Sequence, residues 1–213
     1  MFFYIFMEIY LLFLLVILKS VNITQSILSI FTLLPISLTL FFNWLNLKNK
    51  KENRYLYLVI FMAFLGDLSF SYYNDSLGIL FFCFASIAYF MFLNKLRPKK
   101  IILIITFISF LLCVFLPTKF IFVEIIFYAI LSLVNLLKSL KLVIRKKLNY
   151  SYFISFLYLA ICDINLSLNY IFQYFKLNKF FIDIFFIVTW TFYLFFQIIL
   201  TYKINTQKIL KYS

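Results

Sequence analysis

Residues 55–73 read YLYLVIFMAFLGDLSFSYY, an apolar stretch long enough to cross a bilayer, and it carries Asp67 directly after Gly66. A charged carboxylate at membrane depth is energetically costly, and acidic residues in such segments usually serve a function. A second apolar stretch, 150–171, contains Asp163 at a comparable position. The two aspartates are therefore the first candidates for a functional site.

The composition predicts an all-α polytopic membrane protein. Hydrophobic residues make up 66% of the 213 residues, and 32 of them are Phe, which excludes an ordinary soluble domain. The apolar runs are each close to the roughly 20 residues that span the hydrocarbon core. We expect a single membrane domain over residues 1–213 with eight transmembrane helices, at about 2–22, 27–46, 55–73, 77–94, 101–117, 119–137, 150–171 and 180–202.

The basic residues predict the orientation of these spans. Most of the 20 lysines and arginines fall in alternate connections, at 46–54, 95–100 and 138–147, and in the tail after residue 202. Cytoplasmic loops retain such residues, so both termini should be cytoplasmic, and we expect a bacterial cytoplasmic membrane. Anionic lipid headgroups explain the net charge of +13 better than a nucleic-acid partner, because no nucleic-acid-binding motif accompanies it.

The chain contains no histidine, which limits its chemistry. Zinc or haem sites held by histidine and Ser-His-Asp or Cys-His nucleophiles are excluded. Cys83, Cys113 and Cys162 lie in separate apolar runs without metal-ligand spacing, so we expect them to pack. Any reaction should use carboxylates, hydroxyls, amides and water, with no metal or cofactor.

The remaining acidic residues have simpler interpretations. Asp183 and Glu124 lie near the outer ends of their spans, where they suit headgroups or helix N-termini. Glu8 is within reach of the cytoplasmic interface and is interpreted as a neutral or snorkelling residue. Glu52 and Asp75 are assigned to loops.

Asp67 and Asp163 are predicted to lie at similar depth. Their spans run in the same direction, and at 1.5 Å per residue the aspartates lie about 20 and 24 Å from the inner boundary. The two halves of the chain also resemble parallel four-helix repeats, and a pseudo-twofold axis would bring the two carboxyl groups together. The alternative is that the aspartates only form hydrogen bonds between helices.

Four short stretches resemble the YhhN family of eight-helix lysoplasmalogenases. They are Leu65-Gly66-Asp67-Leu68; Gly78 with Phe82 and Tyr89; Cys162-Asp163 with the residues up to Asn169; and Tyr193 with Gln197. Two positions depart from the family pattern. Ser86 stands where the pattern carries histidine, and Leu34-Pro35 stands for its Lys-Pro.

The resemblance implies hydrolysis of the vinyl ether bond of a lysoplasmalogen to a fatty aldehyde and a glycerophospho-alcohol, a step of plasmalogen lipid metabolism. Cleavage requires an acid that protonates carbon and a base that activates water, and Asp67 and Asp163 would supply both without an assignment of which does which. The partners would be a lysophospholipid substrate and membrane lipids. The residues implied to position substrate or water are Asn74, Ser86, Tyr89, Asn169, Tyr193 and Gln197.

Other functions fit the same residues. The aspartates could be the proton or cation site of a proton-coupled transporter, or belong to a non-catalytic lipid-binding protein. A scaffold without activity is a third reading, because Ser86 cannot shuttle protons near neutral pH as histidine does.

Overall fold

A computed structural model describes residues 2–21, 25–46, 54–72, 75–94, 121–174 and 179–206. Within these ranges all regular structure is α-helical. The helices are α1 (Phe2–Ser20), α2 (Gln25–Asn46), α3 (Arg54–Tyr72), α4 (Asp75–Asn94), α5 (Ile121–Ile144), α6 (Tyr150–Tyr174) and α7 (Lys179–Thr206). Each of these seven is long and apolar enough to cross a membrane. The protein is therefore all-α and a multi-pass integral membrane protein, as predicted, whereas the predicted fifth span, 101–117, lies outside the described residues.

Several helix boundaries differ from the prediction, and some of them place charged residues on helices, as at Lys203 of α7. Asp75 begins α4 instead of lying in a loop, and a carboxylate there interacts favourably with the positive end of the helix dipole. Helix α5 continues to Ile144, so Lys138 and Lys141 lie on the helix and not in a loop at 138–147. A helix can extend past the apolar core because lysine carries its charge at the end of a long stem.

Lys138 illustrates how a basic residue is accommodated on a helix. Its ammonium group donates a hydrogen bond to the side-chain oxygen of Asn94, at the end of α4. It also lies 4.4 Å from the ring centroid of Phe90, in a cation–π contact. These contacts hold the ends of α4 and α5 together.

A tight turn connects α5 to α6. The N–H of Lys146 donates to the carbonyl of Val143 at 2.8 Å, and the N–H of Lys147 donates to that of Leu142 at 2.9 Å. With a φ of 56° at Lys146, this is a Schellman helix end, with lysine in the left-handed position that glycine usually occupies. Asn149 then caps α6, because its side-chain oxygen accepts the N–H two residues later at 2.9 Å. The short turn sets α5 and α6 side by side.

The only two glycines of the chain lie where α3 and α4 pack together. A Cβ atom on Gly66 would lie 2.7 Å from the ring of Phe82, and one on Gly78 would lie 2.8 Å from the ring of Phe70. Both distances are too short for carbon atoms that are not bonded. Each glycine therefore lets an aromatic ring of the opposite helix rest on the backbone.

Helices α4 and α5 pack side by side in the same direction. Phe82 contacts Tyr128, with ring centroids 6.0 Å apart, and twelve residues further along α4, Asn94 contacts Lys138. Contacts therefore advance together along both helices. Helices α2 and α7 pack in the same parallel sense.

An ion pair at the other end of the bundle joins α1 to α7. Lys19 and Asp183 lie 3.4 Å apart, and their side chains are 27% and 35% exposed. Because exposed pairs contribute at most about 1 kcal/mol, we expect Asp183→Asn to lower the free energy of unfolding by less than that amount. Thermal unfolding in detergent at low and high salt would measure this, and a large loss of stability would contradict it.

Candidate functional site

Asp67 on α3 is hydrogen-bonded to a tyrosine of α7. The hydroxyl of Tyr193 donates a hydrogen bond to Oδ2 of Asp67 at 2.6 Å. This distance is within the normal range for a hydroxyl group that donates to a carboxyl oxygen. Tyr193 is buried, on the face of α7 that also buries Thr189, Gln197 and Thr201 at i, i+4 spacing.

Asp163 on α6 has the same kind of partner. The hydroxyl of Tyr128, on α5, donates to Oδ2 of Asp163 at 2.6 Å. The tight turn between α5 and α6 brings these two residues to the same level, since each lies a similar number of residues from the turn. Each of the two aspartates therefore accepts one hydrogen bond from a tyrosine hydroxyl group.

The two pairs form one unit, which we call the aspartate–tyrosine cluster: Asp67, Tyr193, Asp163 and Tyr128. The carboxyl groups of Asp67 and Asp163 are close enough to interact electrostatically, and Tyr193 interacts with both. Four helices, α3, α5, α6 and α7, contribute one residue each. The two aspartates therefore lie in the same region of the bundle, each with a tyrosine partner from another helix.

Two small cavities border Asp163 and Tyr128. The first, of about 20 Å³, also has Ser86, Tyr89 and Asn135 in its wall. The second, of about 30 Å³, lies toward Phe82. A water molecule needs at least about 10–15 Å³ on this measure together with two or more polar partners, so the first cavity suits one water. Neither cavity has room for an alkyl chain.

Asn135 adds a polar group to the first cavity. Its side-chain nitrogen donates to the backbone oxygen of Ser86 at 2.7 Å, and its side-chain oxygen is buried without a hydrogen-bond partner. A buried unpaired oxygen costs about 1–3 kcal/mol, which a water in the cavity would recover. The cavity therefore offers an acceptor and a carboxyl group to the same water.

The predicted substrate-binding residues separate into three groups. Ser86 and Tyr89 line the first cavity beside Asp163, and Tyr193 bonds Asp67. Gln197 lies elsewhere, as described below. Asn74 lies outside the described residues, as does the side chain of Asn169.

Gln197 belongs to a second set of buried polar residues, the Thr39 network. All six members are 0% exposed, and they lie on α1, α2 and α7: Tyr4, Glu8, Thr39, Asn43, Gln197 and Thr201. The side-chain oxygen of Gln197 accepts a hydrogen bond from the hydroxyl of Thr39 at 3.1 Å. Gln197 follows Tyr193 by one helical turn, so the network lies next to the cluster along α7.

The prediction did not include Tyr128, and of its two interpretations of Glu8, neutral or snorkelling, the second is wrong. Tyr128, Ser132, Asn135 and Ser139 recur at i, i+4, i+7 and i+11, a polar stripe on one helix face that could have been recognised. Glu8 does not snorkel to the interface, because its side chain is fully enclosed. Burial of that carboxyl group depends on partners that are distant in the sequence.

The charged groups around the two aspartates limit what the cluster can do chemically. In the parts of the chain that are described, no lysine or arginine forms an ion pair with either aspartate, and no three His, Cys, Asp or Glu side chains lie together as metal ligands do. Two neighbouring carboxyl groups without a cation nearby favour a state in which at least one is protonated, since full ionisation would place like charges in a low dielectric. The arrangement can therefore give and take protons next to a water site.

Comparison of the chain with protein-family models, with curated proteins and with solved structures found no match.

Proposed function

We propose that the protein is an intramembrane hydrolase that cleaves the vinyl ether bond of lysoplasmalogens, as its resemblance to the YhhN family implies. The observation that carries the proposal is the aspartate–tyrosine cluster, in which each of two carboxyl groups from distant parts of the chain accepts a tyrosine hydrogen bond and one of them, Asp163, borders a site for one water. Vinyl ether hydrolysis needs these two groups and water, and no cofactor.

The cavity next to Asp163 supports a division of roles. Asp163 as the base would draw a proton from the water, while Asp67 as the acid would protonate the vinyl carbon that is not bonded to oxygen. Water adds to the resulting oxocarbenium carbon, and the hemiacetal collapses to the aldehyde and the alcohol. Tyr193 and Tyr128 would hold the carboxyl groups in position through their hydrogen bonds.

Substrate binding requires the site to open. The described cavities have room for water and not for a lipid chain, so side chains or helices around Phe82 have to move before an alkenyl chain enters. The numerous Phe side chains suit an alkyl slot, and a lysophospholipid would enter sideways from the membrane. Ser86, in the position of the family's histidine, would orient water through its hydroxyl and not transfer a proton.

We also propose the complete topology of eight spans. Helices α4 and α5 run in the same direction, so the chain between them begins and ends at opposite sides of the bundle, as a fifth span at 101–117 requires. The basic residues favour cytoplasmic termini.

The packing of the helices supports two parallel repeats. If the first four spans correspond to the last four, the pair α3 and α4 corresponds to α6 and α7, and both pairs pack together. The pair α2 and α3 likewise corresponds to α5 and α6, and the parallel pair α2 and α7 corresponds to α4 and α5. A pseudo-twofold axis along the membrane normal accounts for all three correspondences.

The test is release of fatty aldehyde from lysoplasmenylethanolamine by the purified protein in lipid nanodiscs. We expect turnover that is absent with the saturated alkyl ether analogue, since only the vinyl ether can be protonated at carbon. Turnover of neither lipid would contradict the proposal. Proton flux coupled to a solute in proteoliposomes would instead favour the transporter.

A further inference from the structure

Glu8 is a buried acid with no counter-charge. Its side chain is 0% exposed, and in the described part of the chain no lysine or arginine pairs with it. The hydroxyl of Thr39 lies 3.2 Å from its Oε1, Tyr4 also interacts with the carboxyl group, and Oε2 has no partner. Tyr4 is the titratable group beside it, while α2 and α7 offer only hydroxyls and amides. An ionised carboxylate in this setting would be an uncompensated buried charge.

The neighbours of Thr39 limit how the hydrogens of the network can be arranged. Its hydroxyl oxygen lies 3.2 Å from Oε1 of Glu8, 3.1 Å from the side-chain oxygen of Gln197 and 2.7 Å from the hydroxyl of Tyr4. A hydroxyl carries one hydrogen and accepts two. With the amide oxygen of Gln197 turned toward Thr39, an ionised Glu8 would make two of these three neighbours acceptors only, and the single hydrogen of Thr39 cannot serve both.

We propose that Glu8 is a proton-binding site, held as the neutral carboxylic acid within the Thr39 network. Glu8 then donates its hydrogen to Thr39, and Thr39 donates its own to Gln197. Tyr4, whose hydroxyl lies 2.7 Å from Thr39 and 3.4 Å from Thr201, donates to one of these threonines. Glu8, Thr39 and Tyr4 then each donate to one acceptor, and the charge disappears, while Nε2 of Gln197 stays without a partner.

The unpaired atoms fit a neutral acid. Oε2 of Glu8 becomes a carbonyl oxygen, which tolerates burial without a partner far better than a carboxylate oxygen does. Asn43 completes the network by donating to the backbone oxygen of Thr39 at 2.8 Å and to the hydroxyl of Thr201 at 2.9 Å. The proton therefore belongs to the packing that joins α1 to α2 and α7, and the site is independent of the proposed hydrolysis.

Infrared spectroscopy of the protein in lipid tests this site. In a background in which Glu52 and Glu124 are replaced by glutamine, Glu8 is the only glutamate, and carboxyl-¹³C glutamate labels it alone. We expect an isotope-shifted carbonyl stretch of a protonated acid at neutral pH that moves again in D₂O. A shifted pair of carboxylate bands instead would overturn the proposal.

Substitution provides a second test. Glutamine resembles the neutral acid in shape and retains a donor toward Thr39, so Glu8→Gln should melt close to the wild type and lose the acid carbonyl band. Asp183→Asn is the matched control, since Asp183 is ion-paired and its loss should remove carboxylate bands only. Failure of Glu8→Gln to fold while Glu8→Asp folds would overturn the proposal.

A bound cation is the alternative occupant that the same protein can report. Oε2 of Glu8 and Oδ1 of Asn43 are both unpaired and could hold a sodium ion against an ionised carboxylate. Melting temperatures in sodium chloride and choline chloride should be equal if the proton is bound. A rise in melting temperature that is specific to sodium and absent in Glu8→Gln would overturn the proposal and show that a cation occupies the site.

Discussion

Asp163→Asn is expected to lower aldehyde release by about 100-fold or more, and Asp67→Asn by a similar factor, because general acid–base catalysis contributes about 10²–10⁴. Asparagine keeps the shape of the side chain and an oxygen that accepts the tyrosine hydrogen bond, but it cannot exchange a proton. The fold should therefore survive while the reaction fails. Initial rates with lysoplasmenylethanolamine, normalised to folded protein, provide the measurement.

The double variant sharpens this prediction. Two groups that act in one step lose most of the rate when either is removed, so Asp67→Asn combined with Asp163→Asn should be little slower than the single variants. Asp183→Asn removes an acid that lies outside the cluster and should keep the wild-type rate. If a single aspartate variant retained near wild-type turnover, a hydrolase using this pair would be ruled out.

Gly66→Ala is expected to lower the free energy of unfolding by about 1–3 kcal/mol, the usual effect of overpacking a core. The new methyl group would lie 2.7 Å from one ring carbon of Phe82 and 3.3 Å from the backbone oxygen of Gly78. Phe82 is buried and contacts Tyr128, so its ring has little space to move. Denaturant unfolding in mixed micelles would measure the change.

The loss of stability in Gly66→Ala should depend on the size of the Phe82 side chain, and the substitution should also lower the rate of aldehyde release. In the Gly66→Ala, Phe82→Leu double variant the smaller side chain relieves the clash, so the two losses should not add. Phe82 also borders the cavity beside Asp163, so Gly66→Ala should slow aldehyde release as well. Gly78→Ala displaces Phe70, which does not border that cavity, and should reduce stability with less effect on rate. Equal stability of Gly66→Ala and wild type would show that the ring is not held there.

The sequence predicts the helices well because a span of the bilayer needs a long apolar run, and such runs are visible without any tertiary information. The prediction is wrong where basic residues are assumed to mark a loop. Lys138 and Lys141 were assigned to a connection, yet they extend α5, since the ammonium of Lys138 finds Asn94 and the ring of Phe90. Both contacts come from α4, so they cannot be predicted from the sequence of α5 alone.

The candidate site was predicted in part for a similar reason. Two aspartates at equal depth indicate a layer, and depth follows from counting residues. Which helix faces meet does not follow, so the bond from Tyr128 to Asp163 went unrecognised. Glu8 was placed near the interface by position alone, whereas its burial depends on Thr39 and Gln197.

The two aspartates differ in how far along the chain their tyrosine partners lie. Tyr128 and Asp163 are 35 residues apart, whereas Asp67 and Tyr193 are 126 apart. Because chains enter the membrane during synthesis from the N-terminus, the first pair forms as soon as α6 has been inserted, while Asp67 waits for the last described helix. Until then Asp67 lies in the bilayer without its hydrogen-bond donor. Ribosome-bound intermediates that stop before α7 should therefore be the ones most dependent on membrane insertases and most exposed to quality-control proteases.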